Sequence, residues 1–323
     1  MRYRTLGNTG LQVSEICLGT MTFGEQVNES EGARLIHYAL DHGINFIDTA
    51  NNYFGGRSEI CVGKALKGRR DKVILSTKAG NKVGEGPMDK GLSRVHVMQQ
   101  IDLSLKRLDT DYIDIYFMHL PDHVTPIEEV LETYNMLLTS GKIRYIGMSN
   151  FSAWECCEAL YVGMMKNMQV PSVTQMMYNL LTRGLEQEFL PFARAKNLGV
   201  MVYNPLAGGL LSGRYQWNDT PPGDGRFATL KSYVPRYWTS ENLRAVEHLM
   251  ALAAEHDISM VDLAMRWCAF QPGVSTVITG VSKESQLRQN LYSLKNGALP
   301  EAVLKECDRL WEQLSGKRIA YNR

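Results

Sequence analysis

Eight short apolar runs, each separated from the next by a segment with helical patterning, set the strongest limit on what this chain can fold into. They cover residues 16–20, 45–48, 73–78, 112–119, 143–149, 173–179, 199–205 and 275–280. The runs are too apolar to leave either face in water, which is the mark of a parallel sheet covered by helices. A closed (β/α)8 barrel, an α/β fold of the TIM-barrel type, accounts for the count of eight. An open doubly wound sheet would use the same alternation. A dinucleotide-binding sheet of that kind wants a GxGxxG after its first strand, and none follows residues 16–20.

The segments between the runs carry helix signals. Ser30 is a plausible N-cap for a helix with Leu35, Ile36, Ala39 and Leu40 on one face, ended by Gly43. Further helices are expected over 57–67, 93–107, from Pro126 to Gly141, from Ser152 to about Lys166, and over 186–196. Residues 2–15 alternate around Gly7-Asn8-Thr9-Gly10 and predict an opening β-hairpin. Two additional helices, 240–256 and 259–270, precede the last strand, and an amphipathic helix over 299–314 packs against the barrel or covers one end of it. With 323 residues and 44% hydrophobic content, the chain reads as one domain spanning 1–323.

Charge and composition exclude several classes. The formal net charge is +1 and the 21% of charged residues are mixed, with no basic stripe for nucleic acid; Lys67-Gly68-Arg69-Arg70 and Lys317-Arg318 read as solvated surface. No uncharged run approaches the roughly 20 residues that span a bilayer, and no secretory signal opens the chain, so a soluble cytoplasmic protein without membrane contact is expected. The six cysteines show no CxxC pair and no metal-ligand spacing, so they read as buried or helix-surface thiols, with no metal expected.

The chemistry collects at strand ends. Asp48 closes the second run, Lys78 the third and His119 the fourth, with Tyr53 just beyond Asp48. In a barrel these ends share one rim, where active sites form. A carboxylate there is costly to bury without a partner, and Lys78 is the candidate. A tyrosine of ordinary pKa near 10 is a poor proton donor at neutral pH. An ammonium beside it favours the phenolate and lowers that pKa, and Asp48 would keep the lysine charged. Tyr53 would then give a proton to an oxygen gaining charge, held by His119. Taken singly, each residue has an ordinary explanation: a helix-capping Asp, a surface Lys, a structural His, a packing Tyr. Together, at successive strand ends, they point to a site.

At these residues the chain resembles the aldo-keto reductase family, in its bacterial and potassium-channel beta-subunit-like branch. The resemblance rests on Asp48-Thr49-Ala50-Asn51-Asn52-Tyr53 with Gly56-Arg57-Ser58-Glu59, on Ser76-Thr77-Lys78, and on Met118-His119-Leu120-Pro121-Asp122, and it runs from Leu6-Gly7 to Asn290. It implies an eightfold barrel that binds NADPH/NADP+ in preference to NADH, with Tyr53 as general acid, Lys78 and Asp48 tuning it and His119 orienting the carbonyl. Ser149, Asn150 and Gln175 resemble the residues that hold the nicotinamide carboxamide, and Tyr203 the ring on which it stacks. Gly19, Thr20 and Met21 join them at the first strand end. For the phosphates, the resemblance points to Asn204, Pro205, Leu206, Gly208, Ser212 and Arg214, in a loop whose small residues also let backbone amides approach an anion. It points as well to Gly280, Ser282, Lys283, Gln286, Gln289 and Asn290, where Ser282 would cap a helix and Lys283 would meet a ribose 2′-phosphate. Relatives often carry arginine at the Lys283 position, which offers a fork that lysine lacks; Arg288, one turn on, would compensate.

The expected activity is interconversion of a small carbonyl, an aldehyde, ketone or sugar, with its alcohol. The resemblance also admits a cofactor-binding regulatory or redox-sensing subunit with little turnover. The loop 215–239, with Trp217, Pro222, Asp224, Tyr233 and Trp238, is long for a compact domain and reads as a lid. Its aromatics, with Phe23 and Phe54, either line a substrate pocket or pack as a small core. The physiological substrate and oligomeric state, a homo-oligomer included, are left open.

Overall fold

The computed structural model describes residues 1–215, 220, 221, 223 and 225–316. Trp217, Pro222 and Asp224 of the long loop and the Lys317-Arg318 run lie outside the described residues. The chain opens with strands β1 (Tyr3–Thr5), β2 (Gln12–Ser14) and β3 (Ile16–Gly19), then α1 (Glu29–Asp41), β4 (Phe46–Asp48), α2 (Arg57–Leu66), β5 (Ile74–Ala79) and α3 (Arg94–Leu108). The middle comprises β6 (Ile113–Met118), α4 (Ile127–Thr139), β7 (Ile143–Ser149), α5 (Ala153–Met165), β8 (Val173–Met177), α6 (Phe189–Ala195) and β9 (Gly199–Tyr203). Short helices α7 (Gly225–Thr229) and α8 (Val234–Tyr237) lead to α9 (Ser240–Glu255), α10 (Met260–Ala269), β10 (Thr276–Gly280), α11 (Glu284–Lys295) and α12 (Glu301–Ser315).

Strands β3 to β10 close into a parallel barrel in chain order, with β10 pairing back to β3. The eightfold alternation is therefore the fold, and the open sheet is ruled out. Successive side chains on each strand point alternately inward and outward. Cys17, Phe46, Ile115, Phe117, Val173, Met201 and Ile278 fill the interior. Their neighbours Ile16, Leu18, Ile47, Tyr116, Met118, Val200 and Val202 face the helices.

The hairpin β1–β2 plugs the amino-terminal end, where Leu6 and Val13 join the interior cluster. Its turn sits so close to the barrel that a Cβ on Gly7 would lie 2.1 Å from the Gly199 nitrogen, and Gly7 also has φ +57°. Only glycine meets both demands. The final helix α12 packs, as its amphipathic pattern suggests: it lies against α9, burying Val303, Cys307 and Leu310, and Asp308 receives a 2.6 Å bond from Arg183 in the loop after β8. Ser152 caps α5 in a full capping box with Glu155, as its position suggests. The first long helix starts earlier than Ser30 implies. Asn28 is its N-cap and accepts from the Glu31 amide, because its carboxamide reaches the first turn while Ser30 already lies inside it.

Candidate active site

The interior alternation continues past the core and decides which side chains reach the carboxyl-terminal mouth. Two residues beyond Cys17, Phe46, Phe117, Val173, Met201 and Ile278 come Gly19, Asp48, His119, Gln175, Tyr203 and Gly280. On β5 the same step runs from Ile74 through Ser76 to Lys78, and on β7 from Tyr145 through Gly147 to Ser149. One expected residue from each of the eight strand ends thus shares the inward parity. A Cβ on Gly147 would meet the Phe117 ring at 2.4 Å, so the layer directly beneath is filled.

Asp48 and Lys78 are both buried and paired, with Lys78 Nζ 2.6 Å from Asp48 Oδ2. The other carboxylate oxygen accepts from Ser76 Oγ at 2.7 Å and from Gln175 Nε2 at 2.9 Å. Lys78 gives a second proton to the Thr49 carbonyl at 2.6 Å. Of its three donors, one is left, and the ring centroid of Tyr53 lies 5.2 Å from Nζ. Burial works to lower the Lys78 pKa, but the Asp48 charge and hydrogen bond reverse this and hold it above the ordinary value. Lys78 is therefore a fixed cation. Gln175, expected at the carboxamide, spends its amide nitrogen on Asp48.

Tyr53 differs from the expectation in one respect. Burial raises its pKa, Lys78 pulls it down by charge and hydrogen bond, and burial wins, so the phenol stands above its ordinary value. Tyr53 is thus a neutral phenol at pH 7, with the Lys78 ammonium beside its ring. His119 meets Tyr53 edge-on, with ring centroids 6.0 Å apart. Burial, and then the Lys78 charge, push its pKa well below the ordinary value, so the ring is neutral at pH 7. Asn81 Nδ2 lies 2.9 Å from His119 Nδ1. Donation in that direction makes Nδ1 the acceptor and leaves the ring proton on Nε2. Neither Asn81 nor Ser76 was singled out from the sequence. The inward parity shared with Lys78 would have found Ser76, but no motif marks Asn81.

The residues expected to hold a cofactor fall into three groups. Around the mouth, Asn150, at φ +64°, bonds the His119 carbonyl at 2.9 Å and Ser149 Oγ at 3.0 Å, and accepts from Tyr203 Oη at 2.7 Å. Thr20 accompanies them, bonded to the Asp48 carbonyl at 3.0 Å, and Met21 follows in the same loop. Beyond β9, Asn204, Pro205 and Leu206 lead into a tight turn over Ala207–Ser212, with Gly208 and Gly209 at φ 70° and 101°. Asn204 Oδ1 already takes the Gly208 amide at 2.8 Å, and Ser212 Oγ donates to the Gly209 carbonyl at 2.6 Å. The Gly209 face is open, since a Cβ there would meet nothing closer than Tyr215 at 3.7 Å. Arg214 follows, stacked on Tyr215 at 4.6 Å.

The third group surrounds the start of α11. The N-cap is Lys283 rather than Ser282, and no side chain caps the helix. Gln286 Oε1 accepts from the Ser282 amide at 2.8 Å instead, which holds Ser282 outside the first turn. The first-turn amides thus carry no side-chain acceptor, and Gly280 before them has nothing within 4 Å of a built Cβ. This cradle fits the anionic end of a dinucleotide. Gln286 and Gln289 are exposed beside it, while Asn290 is buried and bonded to Thr279 Oγ1 at 2.7 Å. Arg288, one turn along the same helix, pairs with Glu284 at 3.0 Å.

Residues 225–239 of the long loop make contacts at this mouth. Arg226 reaches Met21 Sδ at 3.6 Å, Arg236 reaches Met177 Sδ at 3.8 Å, and the Tyr233 ring fills the space over Gly208. Tyr215, Phe227 and Trp238 pack on one another with centroids 5.1–5.7 Å apart, so these aromatics form a small core. Phe23 is fully buried, whereas Phe54 is half-buried beside Tyr53. Among the described residues no three His, Cys, Asp or Glu side chains group to hold a metal, and no helix is long and apolar enough to cross a membrane. Five cysteines are buried and Cys157 is exposed on α5.

Fold and site together define an eightfold α/β barrel with an Asp–Lys–Tyr–His cluster at its carboxyl-terminal rim. The model of the Aldo/keto reductase family matches residues 15–312, and the chain belongs to that family. It is 40% identical over 303 residues to a probable voltage-gated potassium channel subunit beta of Oryza sativa subsp. japonica, covering 91% of each chain. It is 38% identical over 295 residues to the aldo-keto reductase YhdN of Bacillus subtilis (strain 168), covering 89% of this chain and 87% of that one. An uncharacterized oxidoreductase of the same organism, YrpG, is 36% identical over 306 residues, 91% of each chain.

The buried pair is directly testable. Lys78→Met leaves the Asp48 charge with two neutral donors and is expected to cost about 3–5 kcal/mol, whereas adding Asp48→Asn removes the orphaned charge and recovers most of the loss. Urea denaturation of the two single variants and the double checks this; additive losses would refute the coupling.

Proposed function

We propose that this protein is an NADPH-dependent oxidoreductase interconverting an aldehyde or ketone, sugars included, with its alcohol. The observation that carries the reading is the Asp48–Lys78 pair, buried beneath Tyr53, with a neutral His119 beside it. Bound NADPH supplies the hydride. The carbonyl oxygen takes its proton from the Tyr53 hydroxyl and a hydrogen bond from His119 Nε2–H, and both stabilise the charge it gains. Lys78 stabilises the Tyr53 phenolate, and Asp48 holds Lys78 in place. In the reverse direction the phenolate takes the alcohol proton. Tyr203 and Asn150 shape the seat for the nicotinamide, and the open cradles at Gly209 and before α11 suit the phosphates.

The relative named as an aldo-keto reductase supports this reading. A second reading, a cofactor-binding regulatory subunit with little turnover, is favoured by the relative named as a potassium channel subunit. A panel of carbonyl substrates separates the two: tight NADPH binding with no turnover on any of them would favour the subunit. Tyr53→Phe is expected to lower turnover by at least about 1,000-fold while NADPH still quenches protein fluorescence. An active Phe variant would sink the assignment.

Asn81 acts here as a positioning residue, holding His119 in its Nε2–H form. Asn81→Leu is expected to cut kcat/KM about fivefold to tenfold, the value of one hydrogen bond, with NADPH affinity unchanged. The sign of the pH effect tests the position. In the native protein His119 titrates far below neutrality, so the rate of reduction is flat through neutral pH and falls only on the alkaline side, as Tyr53 ionises. Asn81→Asp sets a carboxylate against Nδ1, raises the His119 pKa and brings a new titration into the neutral range. A profile for Asn81→Asp identical to that of the native protein would refute the role.

A further inference from the structure

Helix α5 carries large apolar side chains on both its buried and its exposed side, and its only charged residues are Glu155 and Glu158. Its inner side, Ala153, Cys156, Ala159 and Gly163, is buried, and a Cβ on Gly163 would lie 2.3 Å from Val170 in the loop that leads to β8. Its outer side carries Trp154 at 62% exposure, Tyr161 at 58%, Met164 at 67% and Met165 at 64%, with Cys157 also exposed. Trp154, Cys157, Tyr161 and Met164 follow the i, i+3, i+7, i+10 spacing of an a/d seam nearly two heptads long. Exposed Glu158 is the one charge among these outer side chains, and a face this rich in large apolar groups gains from being covered, whereas the barrel covers only the inner side.

We infer that the outer face of α5 is the interface of a homodimer in which two copies pack this seam antiparallel about a twofold axis. The chemistry points to a protein surface rather than to an anionic one: α5 contains no lysine or arginine, which a nucleic acid or an anionic membrane would require. Tryptophan, tyrosine and methionine are the residues enriched at protein interfaces. At roughly 200 Å² for each large side chain, the exposed parts of Trp154, Tyr161, Met164 and Met165 come to about 500 Å² per copy. Two copies then bury about 1,000 Å² before any rim residue counts, which reaches the threshold for a specific contact. An isologous pairing makes one patch serve both sides.

The antiparallel direction follows from the side chains and the helix dipoles. In that register Trp154 of each copy lies over Met164 of the other, and Cys157 over Tyr161, so each layer sets a sulfur against an aromatic ring. Opposed helix dipoles favour the same arrangement. A parallel pair would stack Trp154 on Trp154 and bring the two Cys157 thiols together.

Sedimentation equilibrium of the full-length protein at micromolar concentration tests the interface. The native chain is expected to be a dimer. Tyr161→Asp and, as a milder change, Met164→Ser are both expected to weaken it, the former by at least about 100-fold, with far-UV circular dichroism unchanged. Val95→Asp, at an exposed apolar position on α3, leaves the dimer intact. A monomeric native chain, or a dimer indifferent to both α5 changes, overturns the proposal. Oxidative cross-linking tests the direction: Tyr161→Cys is expected to trap a disulfide dimer between Cys157 of one copy and the new thiol of the other. A Cys157–Cys157 link in the native protein would overturn the antiparallel arrangement.

Discussion

The ion pair between Lys78 and Asp48 is the interaction on which the site depends. Two charges taken out of water cost several kcal/mol each, and a single contact does not return that. Here the cost is met by a closed set of bonds: Ser76 and Gln175 on one carboxylate oxygen, Lys78 on the other, and the Thr49 carbonyl on the ammonium. The set draws on β4, β5 and β8, so it exists only when the barrel is closed. Its product is a fixed positive charge under Tyr53, and every property proposed for Tyr53 and His119 follows from that charge combined with burial.

The two ends of the barrel divide the labour. At the amino-terminal end the hairpin inserts Leu6 and Val13 and seals the interior. At the carboxyl-terminal end the same inward parity that builds the core delivers polar side chains instead. The described loop above, residues 225–239, is tied to the rim through the sulfurs of Met21 and Met177, through Tyr233 over Gly208, and more firmly by Asn204 Nδ2, which donates to Tyr237 Oη at 2.6 Å. Of these ties the two guanidinium–sulfur contacts are the weaker, because a thioether is a poorer acceptor than an oxygen.

Much of this was legible in the sequence, for a definite reason. Strand periodicity is two, so a core residue at Phe46, Phe117, Val173 or Met201 fixes the direction of Asp48, His119, Gln175 and Tyr203 once the strand is recognised. The eightfold count then places all of them on one rim. What could not be read was anything set by contacts between distant loops. Asn81 meets His119 only because the loops after β5 and β6 lie side by side. The balance at Tyr53 needed the degree of burial, which spacing does not supply, and so the expected lowering of its pKa became a rise. The caps failed at the same level: Asn28 and Lys283, not Ser30 and Ser282, stand where the backbone turns. The apolar outer face of α5 was visible as composition, but only the fold exposes it.

The account stands on one claim, that this chain passes a hydride to a carbonyl carbon and a proton to the carbonyl oxygen. A single turnover with NADPH deuterated on the transferable position of C4, followed by mass spectrometry and NMR of the product, tests it most directly. The account predicts one deuterium on the carbinol carbon of the alcohol. It also predicts none at that carbon when unlabelled NADPH is used in D2O. An alcohol that takes its carbon-bound hydrogen from solvent, or bound NADPH that yields no alcohol from any carbonyl offered, would contradict it.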